Sequence, residues 1–469
     1  MRSMSRRNFL KAASAGGVVA GSGLATTLGG FAARAADTSG YRALVCVFLK
    51  GGLDCHDTLF PYDTSSYNQY TNIRPTLLSS YQAMDGGSTR ERARLLELNP
   101  LNAADYGSRA FALPEEFSGI HNLFESGHAS IASNVGPLIR PMDRNTYNTS
   151  SSDRPSKLFS HNDQQSTWMA LAPEGVRFGW GGRFADAALG SNANANPVFT
   201  SISVSGNEVF LSGETAFQYQ LDSKGAQVVN ALENANLLGS GRDSSLALSL
   251  LDEHLRDGAS GSLFQQDVAS VTARAIDSNA LFNDTLEAAA PLATAFPNSG
   301  LGSKLSRVAK AIAARGPLGA SRQVFYVDTG GFDTHSNQAR SLPGLQRQID
   351  EAVSAFYAAT EELGVENDVT LFTASDFGRT LIINGDGTDH GWGGHHLIVG
   401  GAVNGQRIFG DVPPPTVDHS QDSGRGRLIP TMSVEQFAAP LGRWFGLSEG
   451  ELLTALPRLS NFSSAPLIV

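Results

Sequence analysis

Residues Asp368–Gly394 read DVTLFTASDFGRTLIINGDGTDHGWGG, and the rest of the chain falls into place around them. Val369–Thr373 alternates Val, Thr, Leu, Phe and Thr, the β-branched and aromatic pattern of a short strand. It runs directly into Ser375-Asp376-Phe377-Gly378-Arg379 and then into Asp389-His390-Gly391. Carboxylate, guanidinium and imidazole groups just past a strand end are where an open α/β sheet holds its ligands. Asp and Gly are also ordinary turn residues, so one such strand end decides little.

Two further strands repeat the pattern. Tyr41–Leu49 (YRALVCVFL) is a nearly continuous apolar run, as expected of a strand buried on both faces, and it ends in Lys50-Gly51-Gly52-Leu53-Asp54. Gln323–Val327 leads into Gly330-Gly331-Phe332-Asp333-Thr334-His335. Ala129–Val135 reads as a further strand, and Leu397–Gly401 and the Pro-rich loop Val412–Pro415 follow late in the chain. Helical spacing marks Glu116–Glu125, Leu301 to Ile312, Leu345 to Leu363 with Gly364 as its stop, and Ser433–Leu447. Val198–Leu211 alternates around Gly206-Asn207 and predicts a β-hairpin. The Ala-, Ser-, Asn- and Leu-rich stretch 222–299 predicts a helical insertion. Tyr62–Pro75 reads as a surface loop and Asp85–Arg94 as a polar, exposed segment. Strand–helix–strand order with short links predicts an α/β fold over 41–460, a mainly parallel sheet with helices on both faces.

The N-terminus carries Ser5-Arg6-Arg7-Asn8-Phe9-Leu10-Lys11 before a Gly/Ala-rich apolar run, with Ala33-Arg34-Ala35 at a signal-peptidase spacing. Residues 1–35 therefore read as a twin-arginine signal, and the expected location is the periplasm or beyond. The run is too weakly apolar for a stable membrane span. Removing Arg2, Arg6, Arg7, Lys11 and Arg34 would take the net charge from −10 to −15. Such an acidic chain argues against nucleic acid as a partner. Its two cysteines, Cys46 and Cys55, supply neither a disulfide framework nor a thiolate zinc site.

In a parallel sheet the carboxyl ends of neighbouring strands lie along one edge, so Asp54, Asp333 and Asp376 can converge. His335 follows Asp333 by two residues and His390 follows Asp389. Carboxylates with imidazoles suit a divalent metal: zinc first, with manganese, calcium or magnesium as alternatives. The competing reading makes the three acids turn or capping residues. Ser160-His161 offers a hydroxyl acceptor beside an imidazole, or equally a helix N-cap with Asp163 three residues on. Arg379 or Arg183 could clamp an anionic group, or serve in a structural ion pair. His395 and His396 are weaker ligand candidates.

At these residues the chain resembles a bacterial exported family, domain of unknown function 1501, within the alkaline phosphatase and sulfatase superfamily. The resemblance runs from Ala43 to about Pro414. It rests on FLKGGLD (Phe48–Asp54), SHNDQQ (Ser160–Gln165), GWGGR (Gly179–Arg183), GGFDTH (Gly330–His335), SDFGRT (Ser375–Thr380) and TDHGWGG (Thr388–Gly394). The superfamily likeness implies metal ligands at Asp54, Asp333, His335, Asp376 and His390, and a nucleophile near Ser160. It departs from the superfamily in the two-residue gap from Asp333 to His335 and in Phe377, which stands where a ligand is expected. Two functional expectations follow. One is an exported, metal-dependent hydrolase of phosphate or sulfate esters, acting on an anionic small molecule or glycan with Ser160, His161 and Arg379 as catalytic residues. The other is a non-catalytic envelope protein that binds glycans or a partner protein.

Overall fold

The computed structural model describes residues 37–84, 90–222, 225–226, 244–257, 262–463 and 469, so the export-signal reading of 1–35 lies outside the described residues. Nine described strands form the central sheet. They are β1 (Arg42–Leu49), β2 (Ala129–Gly136), β3 (Ser201–Ser203), β4 (Gln218–Gln220), β5 (Arg322–Thr329), β6 (Val369–Ser375), β7 (Gly394–Val399), β8 (Ile408–Phe409) and β9 (Met432–Ser433). The order across the sheet is β8-β2-β7-β6-β1-β5-β3-β4, with β9 also on β2. The apolar run places β1 at the middle, parallel to both β5 and β6.

Seven of the eight β1 residues are buried, because both faces of the sheet are covered. Side chains alternate across a strand, and β1 divides accordingly. Ala43, Val45, Val47 and Leu49 join a core with Leu305, Val308 and Ile312 of helix Gly300–Ala313 and with Ile349, Val353 and Phe356 of helix Gln338–Glu362. Leu44, Cys46 and Phe48 join a second core with Trp168, Phe184 and Phe437 of helices His161–Ala170, Trp180–Gly190 and Val434–Phe445. The fold is thus a mixed α/β architecture with a largely parallel sheet between helices, as the strand–helix alternation predicts. Both cysteines are buried and free.

Register sets the functional edge. Leu49 lies opposite Thr329 of β5 and Ser375 of β6, so all three strands end together. The antiparallel β7 begins at the same edge, which brings in the hairpin Arg379–Asn384 and Gly387–His390 just before it. Gly51 and Gly52 have φ of 118° and 88°, and a Cβ at Gly51 would sit 2.4 Å from the Asp333 amide nitrogen. Only glycine allows that approach. The GWGGR motif, in contrast, serves packing: a Cβ on Gly182 would meet the Ser212 carbonyl carbon at 2.2 Å.

Three expectations need correction. Tyr62–Pro75 is not a loop but helix Thr64–Ile73, capped by Asp63 on the Ser66 amide, followed by helix Pro75–Gln82 with proline in its first turn. Its polar composition hides one inward anchor, Tyr70, packed edge-on to Phe60. In the stretch read as exposed around Asp85–Arg94, Arg90 is fully enclosed. No hairpin forms at Val198–Leu211: Ser203 ends β3, Val209–Leu211 is a 3-10 turn, and β3 pairs in parallel with β4 instead. The Ser203 hydroxyl bonds the Gly206 carbonyl and receives the Ser205 amide, which curls the chain away from a hairpin return. Within 222–299, helices Ser244–Arg256 and Leu263–Ala288 are present. No helix among the described residues is long and apolar enough to cross a membrane.

Candidate metal centre

Asp376 emerges from β6 fully buried and takes three donors on one oxygen. Its Oδ2 accepts from His161 Nδ1 at 2.6 Å, Gln165 Nε2 at 2.9 Å and the Gly51 amide at 3.2 Å. His161 and Gln165 stand one helical turn apart, so both reach the same acceptor. Its Oδ1 is buried without a hydrogen-bond partner among the described residues. The Asp376 hydrogen bond raises the pKa of His161 above the ordinary histidine value.

His390 is held in the same manner, while His335 Nδ1 has only a carboxylate nearby. His390 Nδ1 lies 2.8 Å from the Phe159 carbonyl, which can only accept, so that nitrogen carries the proton. His335 Nδ1 faces Asp389 Oδ1 at 3.4 Å. All three Nε2 atoms point to one carboxylate. Asp333 Oδ2 is 3.4 Å from His161 Nε2, and Asp333 Oδ1 is 3.2 Å from both His335 Nε2 and His390 Nε2. His335 Nε2 and His390 Nε2 are 2.9 Å apart, a spacing that needs a proton or a cation between them.

These separations fit a cation. A tetrahedral site with bonds near 2.0–2.1 Å has ligand-to-ligand edges of roughly 3.3 Å. Ligand atoms of His161, Asp333 and His390 all lie within 4.8 Å of one another, and His335 borders the group. Oxygen acceptors behind each Nδ1 are the outer-shell arrangement that orients histidine ligands. Burial alone would raise the Asp333 carboxyl, but Arg379, His335 and His161 bring it below its ordinary value. Burial brings the His390 pKa below the ordinary histidine value. Phe377 fills the place where a ligand was expected and lays its ring against His390 and His161, with centroids 4.6 and 4.9 Å apart.

Not every candidate joins this group. Asp54 is fully buried and wholly engaged by Arg74 Nη1 and Nη2 at 2.8 and 3.1 Å, Gln338 Nε2 at 2.7 Å and the His56 amide at 3.0 Å. The Ser160 hydroxyl donates to Asp163 Oδ2 at 2.9 Å at the start of helix His161–Ala170, without capping a backbone amide. Arg379 is buried and positions Asp333: its Nη1 lies 2.8 Å from Asp333 Oδ1 and 2.9 Å from the Gly51 carbonyl, and its Nε is 2.9 Å from the Thr388 hydroxyl. Arg183 bonds the Thr454 carbonyl at the end of another helix. His395 and His396 are enclosed in the sheet, where burial pushes both down to about 3. Arg74 and Gln338 gave no signal in the sequence pattern. Gln165 could have been found, one turn after His161.

A family model described as "Protein of unknown function (DUF1501)" matches residues 41–456. The chain belongs to that family. The six motifs of the DUF1501 resemblance lie within the matched range. No curated protein matches the chain. Among solved structures, "Crystal structure of Ps i-CgsB" matches with 8% identity and a TM-score of 0.31, over 90% of this chain and 77% of that one. The same protein "in complex with k-i-k-neocarrahexaose" matches equally, with 8% identity and a TM-score of 0.31. Likeness at that level fixes neither the DUF1501 fold nor a ligand.

Proposed function

We propose that this DUF1501 protein is a metal-dependent hydrolase of phosphate or sulfate esters. The observation that carries the reading is the convergence of three histidines, His161, His335 and His390, on Asp333 at 3.2–3.4 Å. Asp333 and its three imidazoles would hold the ion, with zinc favoured by the nitrogen-rich donor set. A bound divalent cation would polarise an ester oxygen and acidify an adjacent water. Arg379 fixes the Asp333 carboxylate, Asp376 orients His161, and Phe377 excludes water from one side of the imidazoles. Motif likeness to the alkaline phosphatase and sulfatase superfamily supports ester hydrolysis as the reaction. Ser160 is the proposed hydroxyl acceptor by its motif position beside His161, and it would have to leave its bond to Asp163 to act.

The test pairs metal analysis with turnover. Wild type purified without chelator should carry stoichiometric metal and hydrolyse an activated aryl phosphate or sulfate. Asp333→Asn should lose both. Ser160→Ala should keep the metal and lose turnover; full turnover in that variant would assign the attack to water. A metal-free, stable wild type that turns over no ester with any added divalent ion would overturn the hydrolase and leave the envelope binding protein standing.

A further inference from the structure

The turn Asp422–Leu428 is built to a stringent geometry beside His390. Asp422 is fully buried, and its Oδ1 accepts the Gly424 and Gly426 amides at 2.7 and 2.9 Å. Gly424, Arg425 and Gly426 have φ of 117°, 62° and 70°, three consecutive left-handed residues. For Arg425, which carries a Cβ, that conformation is strained. Backbone bonds from Leu381 to the Gly426 carbonyl and from Ile382 to the Arg425 carbonyl pin the turn to the hairpin strand Arg379–Asn384.

The turn delivers two guanidinium groups to the histidine cluster. Arg427 Nε donates to the His390 carbonyl at 2.8 Å, and its fork lies over the Phe159 ring, 4.9 Å from the centroid. Phe159 is itself left-handed at φ 69°, and its carbonyl is the acceptor that anchors His390 Nδ1. Arg425 Nη2 meets Asp389 Oδ2 at 3.0 Å, and Asp389 Oδ1 stands behind His335. Arg427 makes no ion pair among the described residues. Its half-buried guanidinium feels Asp389 and Asp422 only at longer range, so the fork has room in its charge balance for an external anion.

We infer that Arg427, with Arg425 beside it, is the specificity-determining edge of this site, and that it recognises a tetrahedral oxyanion, sulfate or phosphate, by its guanidinium fork. The inference names the ligand chemistry of the proposed hydrolase and rests on that reading for the role of the bound group in turnover. Recognition itself does not require turnover, because the fork belongs to the protein and not to the ion held by the histidines.

Calorimetric titration of inorganic sulfate and inorganic phosphate into metal-free full-length protein tests it, in a chloride buffer. Wild type should bind at least one of the two, and the difference between the arms names the preferred oxyanion. Arg427→Gln should weaken that binding about ten-fold or more, Arg427→Lys should recover only part of it, and Arg425→Gln should cost less. Circular dichroism and thermal unfolding establish that each variant is folded. No binding to wild type, or equal binding by wild type and Arg427→Gln, overturns the inference. Loss of ester turnover in Asp333→Asn with oxyanion binding intact would leave it standing whatever becomes of the hydrolase.

Discussion

Asp54 and Asp333 each follow a buried parallel strand by a few residues, yet the protein treats them in opposite ways. Around Asp54 the charge is closed off: Asp54 pairs with Arg74, while Asp57 and Glu116 share Arg90, all of them at 0% side-chain exposure. Gln338 donates to Asp54 Oδ2 and Gln346 to the Asp57 carbonyl, each at 2.7 Å. Around Asp333 the carboxylate is 43% exposed, has one arginine, and faces three imidazole nitrogens at 3.2–3.4 Å. The same residue type at neighbouring strand ends is a structural ion pair in one place and a candidate ligand in the other. Counter-charge and solvent access decide which.

Breaking the closed side should have the largest effect. Arg74→Ala leaves Asp54 as an unpaired buried carboxylate, a loss of about 3–5 kcal/mol of stability. Chemical denaturation would measure it. An Arg74→Ala protein as stable as wild type would mean Asp54 is free to serve elsewhere, which would restore it as a ligand candidate.

A third carboxylate sharpens the contrast. Glu435 is buried at the start of helix Val434–Phe445, has an unpartnered Oε1, and is pushed by burial up to about 7. Its acid is neutral in both folded and unfolded states below about 4.5, and ionised in both above 7. Stability should therefore fall as pH rises from about 4.5 to 7, by about 3 kcal/mol in all at ~1.4 kcal/mol per pH unit. Glu435→Gln should flatten that slope. An unchanged slope in thermal melts across this range would show that the Glu435 carboxylate has a partner when charged.

The open side should respond in metal affinity with little change in stability. Asp376→Asn removes the negative acceptor behind His161 while keeping its shape, and metal affinity should fall about 10–100-fold. Competition with a chromogenic chelator would read this. Unchanged affinity would take His161 out of the ligand set and leave His335, His390 and Asp333.

Much of the architecture was legible in the chain. Continuous apolar runs at β1 and β5 and helical stripes such as Leu301, Leu305, Val308 and Ile312 depend on period and hydrophobicity, which are local. The glycine pair Gly51-Gly52 and the motifs around Asp333, Asp376 and His390 marked the functional edge, because chain turns at strand ends demand those residues. Tyr62–Pro75 misled because a polar helix with one buried tyrosine looks like a loop. The fate of each acid was not legible at all. Asp54 finds Arg74, Asp57 finds Arg90 and Asp333 finds Arg379 through folding, and Arg427 reaches His390 from 37 residues further along the chain. Sequence by itself determined where the strands end and which chemical groups stand there. Only tertiary structure decided which of those groups are neutralised, because an ion pair depends on distance and desolvation, and neither is set by position along the chain.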